Sequence, residues 1–152
     1  MKKLVSVVMV LCMTLALTAC GKEQSASYRM ETEQGGIAMT DTMALDAKGD
    51  KIHTITETIT MDLSSLDEAT QEERFASCDE LVAQYSAVEG VTAEGSSDAG
   101  VYTLVVTIDA TGNAVTDLAE ANLLQIQGDG SKLSLKATGE ALEAGGYSKV
   151  EE

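Results

Sequence analysis

The chain has no proline and no tryptophan, and only one phenylalanine, four tyrosines and one histidine among its 152 residues. Without proline, every reversal of direction falls to Gly, Asn, Asp and Ser. With so few aromatic rings, the core must be chiefly aliphatic. A single histidine, His53, leaves nucleophilic catalysis one candidate imidazole base. Neither Gly-x-Ser-x-Gly nor Ser-x-x-Lys accompanies it, so His53 is read as a plain exposed histidine early in a strand. Phosphate loops of the Gly-x-x-x-x-Gly-Lys and Gly-x-Gly-x-x-Gly types are missing too. Positive charge is scarce: ten Lys and Arg stand against 25 Asp and Glu, a formal charge of −15, which excludes nucleic acid as a partner.

What is present begins with an export signal over residues 1–19. Lys2 and Lys3 form a short positive region, and Leu4 to Thr18 is an apolar run shorter than the ~20 residues a membrane-spanning helix needs. Leu17-Thr18-Ala19-Cys20 then fits a bacterial lipobox, which makes Cys20 the expected site of lipid attachment and the first residue of the mature chain. Gly21 to Ser27 is expected as a flexible tether, so that 20–27 forms a lipidated linker and 28–152 a single domain. The mature chain keeps eight basic residues against 25 acids, a formal charge of −17. An anionic leaflet should repel such a domain, leaving the acyl chains to hold it at the membrane. Of three cysteines, Cys12 leaves with the signal and Cys20 is acylated. Cys78 remains alone on an apolar helical stripe, so no intramolecular disulfide forms and the thiol is read as structural. With one Cys thiol and one His left, a zinc site is not expected.

Alternation dominates the first part of the domain. Tyr28 to Glu33 reads as a short strand closed by Gln34-Gly35-Gly36. A second strand puts Ile37, Met39, Met43 and Leu45 on one face with Asp41 interrupting, and ends in Asp46-Ala47-Lys48-Gly49-Asp50. The third run sets Ile55, Ile59, Met61 and Leu63 against a face of Thr54, Thr56, Thr58 and Thr60. The period then changes to three and four. Phe75, Cys78, Leu81, Val82, Tyr85 and Val88 form the stripe of a helix of about five turns, with Ser65/Glu68 and Thr70/Glu73 as capping boxes and Gly90 as the stop. Val91 to Glu94 and Val101 to Ile108 follow as a hairpin across Gly95 to Gly100, then a short helix around Thr116 to Leu124. A last helix is capped by Ser134 and closed by Gly145-Gly146, with Tyr147 to Val150 as an edge strand. The sum is an α+β domain: an antiparallel sheet with two main helices packed on one face.

Two readings compete with a non-enzymatic binding or structural module. One is an extracytoplasmic small-ligand or calcium-binding protein. An EF-hand register from Asp109 places Asp109, Thr111, Asn113, the Val115 carbonyl, Asp117 and Glu120 at ligand positions, but position 6 is Ala114 where glycine is required, and a strand leads in. The other is a carboxylate-based hydrolase. Sugar sites usually add aromatic platforms, whereas Tyr28, Phe75, Tyr85, Tyr102 and Tyr147 all have core assignments. Catalytic, cofactor and metal residues are therefore assigned to none, and lipid attachment to Cys20.

The lipobox, the turn Lys48-Gly49-Asp50-Lys51, the helix end from Tyr85 to Gly90-Val91, Thr107-Ile108-Asp109 and the terminal Leu142 to Val150 together resemble the YehR-like small bacterial lipoproteins. The resemblance runs from about Gly36 onward and rests on turns and packing positions. It implies a cell-envelope lipoprotein with an α+β domain, lipid-anchored on the extracytoplasmic face of a membrane, and it carries no catalytic residue over.

Overall fold

A computed structural model describes residues 10–12, 21–127 and 133–151. Its elements are β1 (Val10–Cys12), β2 (Glu23–Gln34), β3 (Ile37–Lys48), β4 (Lys51–Asp62), α1 (Glu68–Ser86), β5 (Val91–Asp98), β6 (Val101–Asp109), α2 (Ala114–Glu120), β7 (Gln125–Gln127), α3 (Leu135–Ala144) and β8 (Ser148–Val150). Six strands form one antiparallel sheet in the order β5-β6-β4-β3-β2-β8, while β1 and β7 make a separate parallel pair. Among the described residues no helix is long and apolar enough to cross a membrane.

The three long strands follow from alternation and glycine turns. Gly35 and Gly36 (φ 62° and 80°) turn β2 into β3, and Gly49 (φ 63°) turns β3 into β4. These left-handed angles suit the two-residue hairpin and are open to glycine at little steric cost. The β5–β6 reversal is tighter than expected from the sequence. The strand continues through Gly95 to Asp98, and the turn is only Ala99-Gly100, with Ala99 at φ 49°.

The register puts one row of residues after another on the helix-covered face: Met30, Asp41, Ile59 and Leu104, then Tyr28, Met43, Glu57 and Val106, then Ala26, Leu45, Ile55 and Ile108. The opposite face carries Thr40, Thr60 and Thr103 in one row, and Thr42 beside Thr58 in the next. That half-buried threonine surface is the one the alternation indicates.

The helices divide the covered face between them. α1 lies over β5 and β6, and α3 over β2 and β8. The N-cap of α1 is Asp67 rather than Ser65 or Thr70: its carboxylate accepts from the Thr70 amide at 3.1 Å and the Thr70 hydroxyl at 2.7 Å. A carboxylate meets both the free amides and the positive end of the helix, which a serine hydroxyl does less well. Ser65 instead gives its hydroxyl to the Gly36 carbonyl. α2 starts and stops earlier than the Thr116–Leu124 expectation, and Asn122 (φ 58°) turns the chain so that Leu124 is buried. α3 is capped by Ser134, which accepts from the Ala137 amide at 3.1 Å, and it closes through Gly145 and Gly146 as expected.

The N-terminal boundary differs from the expectation. β2 begins at Glu23 and pairs Glu23 to Ser27 with Ala44 to Lys48, so most of the expected tether is sheet. The segment is polar and lacks a strict apolar alternation because it lies near the edge, where only Ala26 of the five residues packs against the core. Cys20 itself lies outside the described residues.

Close packing of α3 on β2 depends on Gly139, buried in mid-helix, where a Cβ would collide with the Tyr28 hydroxyl. In an open helix Gly→Ala is stabilising by up to ~1 kcal/mol. Here Gly139→Ala should instead destabilise by about 1–3 kcal/mol in urea unfolding, because helix or ring must shift. Tyr28→Phe in the same chain, which removes the colliding oxygen, should recover part of the loss.

Candidate functional site

The chemically distinctive place in the described structure is the pair Asp41 and Glu57. Both sit on the covered face of the two central strands, 0% and 1% exposed. Asp41 is opposite Ile59 and Glu57 opposite Met43, so the two carboxyl groups are diagonal neighbours across the β3–β4 ladder. Asp41 is visible in the sequence as an interruption of an apolar face. Glu57 was passed over there, although it shares the parity of Ile55 and Ile59, and that parity was the signal that could have found it.

Two tyrosines sit near the pair. Tyr147, between α3 and β8, donates its hydroxyl to Asp41 Oδ2 at 2.5 Å. Tyr85, on the last turn of α1, donates to the Leu123 carbonyl at 3.1 Å, and its phenol is held above the ordinary range by burial, with the charges of Glu57 and Asp41 adding to it. Asp41 Oδ1 and Glu57 Oε1 are buried without a hydrogen-bond partner. Burial raises the Asp41 pKa, the Tyr147 hydrogen bond opposing it. Burial pushes Glu57 up to about 8, with the Asp41 charge adding to the effect. At neutral pH Glu57 is therefore mostly protonated, and the pair carries one negative charge at most.

Divergent carboxylates are half of what a hydrolase needs; the other half is a cleft that admits substrate. Two cavities are formed among the described residues, and both lie elsewhere. One, of about 400 Å³, is lined by Thr54, Gly90, Val91, Thr92, Thr107 and Asp109. The other, of about 350 Å³, lies between β2 and α3, with Tyr28, Asp50, Lys136, Gly139 and Glu143 among its walls. Neither touches Asp41 or Glu57.

The remaining sequence candidates are placed as follows. Asp109 turns back on its own loop, its Oδ1 accepting from the Thr111 amide at 2.9 Å and the Thr111 hydroxyl at 2.5 Å, and these bonds hold its carboxyl below the usual range. Among the described residues no group of three or more His, Cys, Asp or Glu side chains converges, so Asp109, Asp117 and Glu120 are not brought together. His53 is less exposed than expected. It is the extra residue at a bulge where Asp46 pairs with Thr54 and Ala47 with Ile52, and its Nε2 lies 3.0 Å from Glu23 Oε2. The sequence hid that contact because Glu23 fell in the expected tether. Cys78 is a free, half-buried thiol raised by burial and by Asp79, which together outweigh Arg74. Tyr102 donates to Asp79 at 2.6 Å and stacks with Phe75 at 5.8 Å, so both rings are committed to packing.

Known proteins add the following. The profile of a family described as a protein of unknown function, DUF1307, matches residues 24–148. The chain is similar to the NMR structure of the E. coli YehR protein, at 19% identity and a TM-score of 0.59, covering 84% of this chain and 92% of that one. It is also similar to the NMR structure of a Streptococcus pneumoniae TIGR4 protein, at 12% identity and a TM-score of 0.47, covering 90% of each. No curated protein matches. The YehR likeness shows the shared fold, and the family match begins well before Gly36, in agreement with the early start of β2.

The acid pair makes the fold lose stability as pH rises from about 4.5 to about 8. Glu57 holds its proton up to about pH 8 when folded and releases it near the ordinary glutamate value when unfolded. The folded state thus binds more protons between those values, and stability falls as pH rises through the window, by at most ~1.4 kcal/mol per pH unit. Unfolding midpoints measured from pH 5 to 9 should decline accordingly, and Glu57→Gln should flatten the profile. Tyr147→Phe, which strips Asp41 Oδ2 of its donor, should cost about 1–3 kcal/mol at neutral pH in the same assay.

Proposed function

Starting from the fact that the chain belongs to the DUF1307 family of unknown function, we propose that it is a lipid-anchored lipoprotein of the cell envelope, exposed on the extracytoplasmic face, and a non-enzymatic binding or structural module. The observation that carries this reading is Leu17-Thr18-Ala19-Cys20 behind a charged and apolar leader. The described fold is compatible with processing there. Removing residues 1–19 takes away β1, which pairs with β7 and lies against α3, and leaves every strand of the six-stranded sheet. The non-enzymatic part is supported by the sealed acid pair. Asp41 and Glu57 have the electrostatics of a catalytic couple, but their burial at 0% and 1% exposure leaves a substrate no approach.

Replacing Cys20 with Ala tests the anchor. The variant should move from the membrane to the soluble fraction and lose incorporation of labelled fatty acid, with the fold unchanged by circular dichroism. A Cys20→Ala protein that stays membrane-bound and acylated would sink the assignment.

A further inference from the structure

The structure changes what an anionic membrane would meet. A net charge of −17 over the mature sequence suggests repulsion, but charge acts across only about a Debye length, ~8 Å at physiological salt. What matters is which charges lie at the anchored end. β2 starts at Glu23, and the Lys22 carbonyl already accepts from the Gly49 amide at 2.9 Å. Cys20 is therefore within about 10 Å of the β3–β4 turn, since three residues span no more than that. The opposite end of β2 is about 40 Å away along a strand of 12 residues. There the acids gather: Glu31, Glu33, Asp62, Asp67 and Glu68, all exposed.

At the anchored corner stand Lys22, Lys48, Lys51 and Lys136, four of the eight basic residues of the mature chain and all exposed. Of the acids beside them, Glu140 and Glu143 on α3 are exposed near Lys136, whereas those on the strands and their turn are held by protein donors or by the histidine. Glu23 lies against His53, Asp46 accepts from the Ser25 hydroxyl at 2.6 Å, and Asp50 accepts from the Ser134 hydroxyl at 2.6 Å and the Lys136 amide at 2.9 Å. Lys22, Lys48 and Lys51 form no ion pair among the described residues, and Lys136 has only a long contact of 3.9 Å to Glu140. Asp109 and Glu89 mark the other side of the same end, beyond β4. The corner thus presents four exposed ammonium groups, three of them outside any ion pair among the described residues, while Glu23, Asp46 and Asp50 are each already engaged by a neighbouring side chain.

We propose that this corner docks on anionic phospholipid headgroups, Lys22, Lys48, Lys51 and Lys136 meeting the phosphates, so that the sheet stands off the membrane with its acidic end away from it. The proposal rests on Cys20 being the anchor.

The test uses the full-length lipidated protein in vesicles of phosphatidylcholine alone and of phosphatidylcholine with phosphatidylglycerol, probed with a membrane-impermeant amine-acylating reagent and read lysine by lysine by mass spectrometry. Lys22, Lys48 and Lys51 should be labelled several-fold less on the anionic vesicles, each normalised to its own labelling in detergent-solubilised protein, and high monovalent salt should erase the difference. A Lys22→Gln/Lys48→Gln/Lys51→Gln variant should make Lys136 equally reactive on both vesicles. Protein that floats with both vesicles but shows equal labelling would overturn the docking and leave the anchor standing. Protein that floats with neither would overturn the anchor reading and the docking with it.

Discussion

Two carboxyl groups in the middle of a packed sheet face are the constraint on which the rest of this domain is arranged. An ionised carboxylate without partners is too costly to bury, so the couple is tolerated by keeping a proton on Glu57 and by giving Asp41 the Tyr147 hydroxyl. Large aliphatic side chains over both acids would leave their oxygens wholly unsatisfied. The cover near them is instead tyrosine, whose ring packs while its tip stays polar. That use accounts for two of the five aromatic residues in a chain otherwise content with Ile, Leu, Val and Met. The same choice ties distant parts together: Tyr147 links the end of α3 to β3, and Tyr85 links α1 to the segment after α2.

The acids also weaken the contrast between the two faces of the central hairpin. Along β4 the sequence Thr56-Glu57-Thr58 is polar on both sides, so a one-residue slip would meet little local penalty there. Register is held by what flanks it. Ile55 and Ile59 are buried on either side, and the Gly35-Gly36 and Gly49 turns fix both ends of β3. On the adjoining hairpin Gly95 serves a different purpose, leaving room for the Tyr102 hydroxyl to pass β5 and reach Asp79 on α1. Gly139 does the same for Tyr28 beneath α3, so both helices approach the sheet over a tyrosine tip.

How much of this was legible depended on whether the cause was local. The β3 and β4 alternation, the Gly49 turn, the Ser134 cap and the Gly145-Gly146 stop are local, and each appears where the sequence places it. The start of β2 was missed because a polar strand near the sheet edge needs a partner, not an apolar face, and Ala44 to Lys48 supply it from some twenty residues away. The α1 cap was misplaced because Ser65 and Thr70 satisfy the capping-box motif locally while Asp67, with Thr70 three residues on, does not; only the position of Gly36 engages Ser65 elsewhere. For the acid pair, half was visible. Asp41 broke a pattern and was noticed, whereas Glu57 was hidden by the threonines around it, and that the two meet follows from strand pairing rather than from either stretch alone.

The absence of a long linker before β2 alters what anchoring would mean for this fold. On a flexible tether, a domain samples all orientations and its net charge governs the average field it feels. Here Lys22 is already bonded to the β3–β4 turn, so the start of β2 and that turn move as one piece. With Cys20 as the attachment point, the sheet's long axis would be set at its base, and charges at the far end of a ~40 Å strand would lie several Debye lengths from the headgroups. Local charge at the corner then outweighs the molecular total. The distribution of acids and lysines along the strands therefore carries information that a sum over composition does not contain.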